Sequence, residues 1–128
     1  MAVDGRGVLI LGKSGAGKSS LALTLLAFGA GLVADDRVTL IDDAGPTAMP
    51  PPAIAGLIEA RGVGLLRAPI VARCSVDLVI DLDIQEADRL PPIRYISILG
   101  HDVPLQHNAD APHFAPAIMQ YLRAGRSH

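Results

Sequence analysis

"GVLILGKSGAGKSSLALTLLAFGAGLVADD", residues 7–36, decides the fold. It opens on an unbroken apolar run, Gly7 to Leu11, of the kind a fully buried strand carries. From Lys18 to Phe28 apolar residues fall on nearly every side of a helix, which predicts a buried helix that Gly29 stops. "GLVADD" (31–36) then reads as a second strand ending in two acids. Between strand and helix, Gly12-Lys13-Ser14-Gly15-Ala16-Gly17-Lys18-Ser19 matches G-x-x-x-x-G-K-[ST] in full. The glycines let the backbone turn sharply and bring its N–H groups inward around phosphate, and the helix start adds its positive dipole end. Lys18 is placed to reach the β- and γ-phosphates, and the Ser19 hydroxyl to ligate Mg²⁺. All eight residues, 12 to 19, are therefore expected to hold ATP with its magnesium.

The rest of the composition narrows the class. A chain of 128 residues is expected to form one domain over 1–128. Half of its residues are apolar, yet it has no Trp and only two Phe and two Tyr, so its core must be aliphatic. Thirteen acids against eleven bases leave a formal charge of -2 with no basic cluster, so no nucleic-acid partner is expected. Cys74 stands alone, which excludes an intramolecular disulfide within these residues and fits a reducing, cytoplasmic setting. No charged-then-apolar leader and no apolar run of spanning length is present, so no membrane partner is expected.

Beyond residue 36, "RVTLI" (37–41) reads as a strand and "DDAGPTA" (42–48) as turn chemistry. "AIAGLIEA" (53–60), led by three prolines, reads as a short helix that Gly62 ends, and "RGVGL" (61–65) as a tight or functional loop. "VDLVIDLDI" (76–84) alternates as a strand does. Leu78, Ile80 and Leu82 would share one face, and Asp77, Asp81 and Asp83, with Val79, an acidic outer face. "RYISILG" (94–100) is one more strand, and Pro116 is expected to confine a C-terminal helix to 116–124. The fold class predicted is α/β: a P-loop-type mixed sheet with a buried P-loop helix and a C-terminal helix. The four histidines share no zinc-ligand spacing; His107 and His113 read as surface or packing residues, and Cys74 as a packed thiol.

Asp35 and Asp36 raise the question of chemistry. Adjacent carboxylates on a strand point to opposite sides, so one can serve a metal shell while the other faces an acceptor hydroxyl. Here the sequence resembles the HPr kinase/phosphorylase family, which pairs its phosphate loop with a "LVADD" segment at this distance. "LIEARGVGLL" (57–66) is similar to the family signature, and "EADRL" (86–90) resembles its later Asp-Arg element. The resemblance implies a serine kinase acting on the phosphocarrier HPr with ATP and Mg²⁺, and phosphorolysis of phosphoserine-HPr to pyrophosphate in the same pocket. It implies that Lys18 and Ser19 keep their phosphate and magnesium roles. Asp36 would be the general base, Glu59 a magnesium ligand, and Arg89 a stabiliser of transferring phosphate charge. It also implies a hexamer, and the likeness is to the short, single-domain forms. The family's catalytic histidine would fall upstream of Met1, and the region of its Pro-Gly-Arg-Asn element reads "LGHDVPLQHN". Two alternatives stay open: a nucleotide-binding regulatory module with impaired transfer, and a small-molecule kinase of the shikimate type.

Overall fold

A computed structural model describes residues 1–35, 37–51 and 56–127. The apolar run of the opening stretch becomes β2 (Arg6–Leu11), which follows a two-residue strand β1 (Ala2–Val3). Helix α1 (Lys18–Ala27) follows the glycine-rich loop. It is less enclosed than its composition predicts: Ala22 and Leu25 are buried, while Ser20 and Thr24 face solvent and Phe28 is 48% exposed. Its apolar residues join one core with Ile58 and with residues of the sheet and the C-terminal region. Within "GLVADD", the described residues 31–35 do not form a strand. Gly31 and Leu32 each make a single bridge, to Ala2 and Ile70, and the chain turns away before Asp35.

Strands β3 (Thr39–Asp42) and β4 (Pro46–Met49) form a hairpin whose turn is only residues 43–45, so the turn predicted over 42–48 is shorter. The helix predicted over 53–60 is overturned. Residues 53–55 lie outside the described residues, and Leu57–Ala60 is strand β5, paired antiparallel with β6 (Gly64–Arg67). Gly62 sits at φ 81° in the hairpin turn rather than at a helix end. Ile58 at 1% and Ala60 at 7% exposure alternate with the exposed Glu59, the period of a strand. Ala, Leu, Ile and Glu favour a helix in isolation; tertiary pairing overrides them.

Strand β7 (Cys74–Gln85) organises the sheet. One edge pairs in parallel with β2. The other edge is shared: β4 takes Cys74 and Ser75, and β9 (His101–Asn108) pairs from Val79 onward. Strand β8 (Arg94–Ile98) completes the antiparallel ribbon with β9. Strand β9 was not expected from the sequence; the missing N–H of its Pro104 falls just before the ladder to β7 begins at Leu105. The register slips between Gly7 and Val8, and the slip leaves Asp77 as the additional residue on β7. Asp77 turns its carboxylate to the Gly7 N–H (3.2 Å) and the Ser75 hydroxyl (2.5 Å). The acidic outer face therefore needs correction. Leu78, Ile80 and Leu82 do share a buried face, but Asp77 belongs to the bulge, and Val79, fully buried, lies in a second core on the opposite side.

Helix α2 (Phe114–Ala124) begins two residues before Pro116, which sits in its first turn where no helical N–H partner is required. Ala115, Ile118, Met119 and Leu122 form its buried stripe. They join Leu25 of α1 and Leu78, Ile80 and Leu82 of β7 in the larger core. Among the described residues no helix is long and apolar enough to cross a membrane.

Candidate functional site at the glycine-rich loop

The parallel strands β2, β7 and β9 end at one edge of the sheet, and the loop of residues 12–17 leaves β2 at that edge. Gly15 and Gly17 take φ values of 87° and 100°, which only glycine adopts without strain. Gly12 is needed for space: a Cβ there would lie 2.9 Å from the Ala16 Cβ. The turn is held from within by the Ala16 N–H donating to the Lys13 carbonyl at 3.0 Å. Helix α1 starts at Lys18 with no side-chain cap and no acidic residue in its first turn. Its free N–H groups and dipole are thus left to attract an anion. The Lys18 ammonium donates to the Gly12 carbonyl at 2.5 Å and is held over the loop.

Next to it, Ser19 Oγ donates to Asp35 Oδ1 at 3.1 Å, and Asp35 Oδ2 accepts the Glu59 N–H at 3.0 Å. One carboxylate thereby joins the first turn of α1, the end of the 31–35 segment and strand β5. A cavity of about 210 Å³ adjoins this cluster, lined among others by Gly12, Lys18 and Asp35 with Leu11, Val33 and Val38. Magnesium keeps several waters and usually takes one or two carboxylates plus substrate phosphates. A hydroxyl beside a carboxylate fits that donor set. No group of three or more ligating His, Cys, Asp or Glu side chains is found among the described residues.

The predicted residues are distributed unevenly. Gly12 to Ser19 form one continuous structure. Glu59 comes to the site through its main chain, while its side chain is exposed. Arg89 is exposed in the segment after β7, and among the described residues no hydrogen bond or ion pair ties it to the loop. Asp36, the expected general base, lies outside the described residues. Asp35 is the acid that meets Ser19, and sequence reasoning gave the pair's division of labour without saying which member takes the metal side. Asp83, read as outer-face charge, accepts the Lys13 N–H at 3.2 and 3.1 Å. Its signal was its distance from the end of the strand neighbouring the loop.

Other titratable groups lie away from the loop. The Glu86 side chain, 6% exposed, receives Arg94 Nη1 at 2.5 Å and Nη2 at 3.4 Å, and accepts the Ala87 and Asp88 N–H groups at 3.1 Å. His107 Nδ1 is 3.9 Å away. The Arg94 hydrogen bond, helped by the Asp88 N–H, holds the Glu86 carboxyl below its ordinary range. His101 faces Asp42 at 3.1 Å and lowers that carboxyl. Burial pushes the Cys74 thiol up, as suits a packed and unreactive cysteine.

Comparison with known proteins places the chain by fold and by sequence. The solved structure of the HPr(Ser) kinase/phosphatase from Coxiella burnetii superposes with a TM-score of 0.76 at 29% identity, covering 94% of this chain and 82% of that one. The HPr kinase/phosphorylase of Cupriavidus necator is 39% identical over 110 residues, 75% of this chain and 34% of its own length. That of Caldicellulosiruptor bescii is 40% identical over 116 residues, covering 80% of this chain and 37% of its own. The chain thus spans about a third of the length of these curated relatives. The profile of the HPr Serine kinase C-terminal domain matches residues 1–104, and the chain belongs to that family.

Proposed function

We propose that this chain carries the catalytic centre of an ATP-dependent serine protein kinase whose acceptor is the phosphocarrier HPr. The observation that carries the reading is the meeting of the Ser19 hydroxyl, the Asp35 carboxylate and the Glu59 main chain beside Lys18, in a member of this family. Residues 12 to 19 hold the ATP phosphates, and Lys18 faces the β- and γ-phosphates. Ser19 and Asp35, with Glu59, hold magnesium; when bound, it neutralises charge that builds on the transferring group. Asp36 takes the proton of the acceptor serine as its oxygen bonds to the γ-phosphorus and the bond to ADP breaks. Arg89 offsets charge on the phosphoryl oxygens. In the reverse sense, an inorganic phosphate oxygen attacks the phosphorus of phosphoserine, the bond to the serine oxygen breaks as pyrophosphate forms, and Asp36 gives the proton to that oxygen. Assembly of several copies and a cytoplasmic setting complete the proposal.

Incubation with ATP, Mg²⁺ and HPr is expected to give phosphoserine, and Asp36→Asn is expected to abolish it. Tight ATP binding with no phosphoserine product would favour the regulatory module. Pyrophosphate release from phosphoserine-HPr in the presence of phosphate tests the reverse reaction separately.

A further inference from the structure

Asp83 lies near the end of β7, beside the glycine-rich loop. Leu11 is registered against Asp81 on the adjacent parallel strand, so the first loop residues emerge alongside Leu82 and Asp83. A Cβ at Gly12 would lie 3.4 Å from the Leu82 Cβ and 3.7 Å from Asp83 Oδ1, which measures how closely loop and strand approach. Both Asp83 oxygens accept the single Lys13 N–H, and the Asp83 N–H in turn donates to Asp81 Oδ1 at 2.9 Å. An exposed carboxylate free to be hydrated instead commits both oxygens to one main-chain group of the loop. The connection continues inward, because the Lys13 carbonyl accepts the Ala16 N–H at 3.0 Å.

We propose that Asp83 is a positioning residue for the glycine-rich loop, fixing Lys13 against β7 so that the turn at Gly15 to Gly17 is ordered before phosphate arrives. The inference rests on the phosphate-binding reading above. Glycines widen the conformations open to an empty loop, and ordering them at the moment of binding subtracts from affinity. An ionised acceptor holds an N–H more strongly than a neutral one. Its negative charge is nonetheless unhelpful near a triphosphate, by simple Coulomb repulsion. A role through hydrogen bonding therefore predicts a particular order of variants. Asp83→Asn keeps an acceptor and sheds the charge; Asp83→Ala loses both.

The test is calorimetric titration of wild type and both variants with Mg·ATP, alongside hydrogen exchange at the Lys13 amide and melting temperature. Asp83→Ala is expected to bind ATP about fivefold or more weakly, with faster Lys13 exchange and an unchanged melting temperature. Asp83→Asn is expected to restore affinity to about the wild-type level and to slow Lys13 exchange again. Equal weakening by both variants would assign the effect to charge or metal and overturn the proposal. So would wild-type affinity and exchange in Asp83→Ala, or a lowered melting temperature with Lys13 exchange unaltered. If the wild type binds ATP but transfers nothing to serine, the kinase reading fails and the titration still decides this one. If it binds no ATP, the phosphate reading falls and takes this inference with it.

Discussion

Asp35 divides its two oxygens between the Ser19 hydroxyl and the Glu59 N–H, and so orients a hydroxyl that would otherwise rotate freely. Replacing it by Asn keeps the shape and an acceptor but removes the charge that attracts a divalent cation. Asp35→Asn is therefore expected to raise the Mg²⁺ needed for half-maximal transfer by about tenfold, while binding of metal-free ATP stays near wild type. Titration of the rate with Mg²⁺ checks this; an unaltered magnesium curve would remove Asp35 from the metal side. At this scale the sequence was informative where function is contiguous. The turn over residues 12–17 and the helix start at Lys18 could be read directly, because the spacing of the glycines itself sets the turn. Which acid meets Ser19 depends on a chain reversal after Leu32 that no local pattern announces.

Among the elements, the β5–β6 hairpin departs most from expectation, since helix-forming residues mask a strand whose anchoring carboxylate, Asp35, comes from elsewhere in the fold. Strand β9 was not anticipated: "HDVPLQHN" shows no clean alternation, and its strand character comes from pairing with β8 and β7. The strap after β7 permits a test at this level. Glu86 draws together Arg94, two N–H groups of the strap and, more distantly, His107. Its carboxyl lies below the ordinary glutamate range in the folded state, chiefly through Arg94. A depressed folded value means that the unfolded chain binds the proton first. The stabilisation is complete above about pH 4.3, where an unfolded glutamate is ionised, and is lost as pH falls through the folded value. Glu86→Gln is thus expected to lower the melting temperature at neutral pH and to flatten its decline in acid. Melting curves from pH 7 to below about pH 4.3 measure both. A parallel downward shift at every pH would show that the carboxylate charge is not responsible.

Across the whole molecule, the larger core is the layer where α1 and α2 meet the sheet face carrying Leu78, Ile80 and Leu82. Leu25, fully buried, stands at that junction. Leu25→Ala should cost about 2–5 kcal/mol and lower the melting temperature by roughly 10 °C. Denaturant unfolding followed by circular dichroism reads the loss; a change below about 1 kcal/mol would mean the junction repacks around the gap. The aliphatic character of this core was evident from composition, whereas the division of the second edge of β7 between β4 and β9 was not. Strand periodicity reports which side chains share a face and says nothing of which neighbour lies along each stretch. That division has a mechanical result. Among the described residues the β3–β4 ribbon pairs with β7 only through Thr47 opposite Ser75 and Ala48 opposite Cys74, while β2 lines the other edge from Ser75 to Asp81 and β9 pairs from Val79 onward. Beyond that short seam the ribbon is held by Asp42 against His101, Asp43 against Arg73 and the burial of Ala48 in the second core, so detaching it means unfastening side chains as well as two backbone pairs.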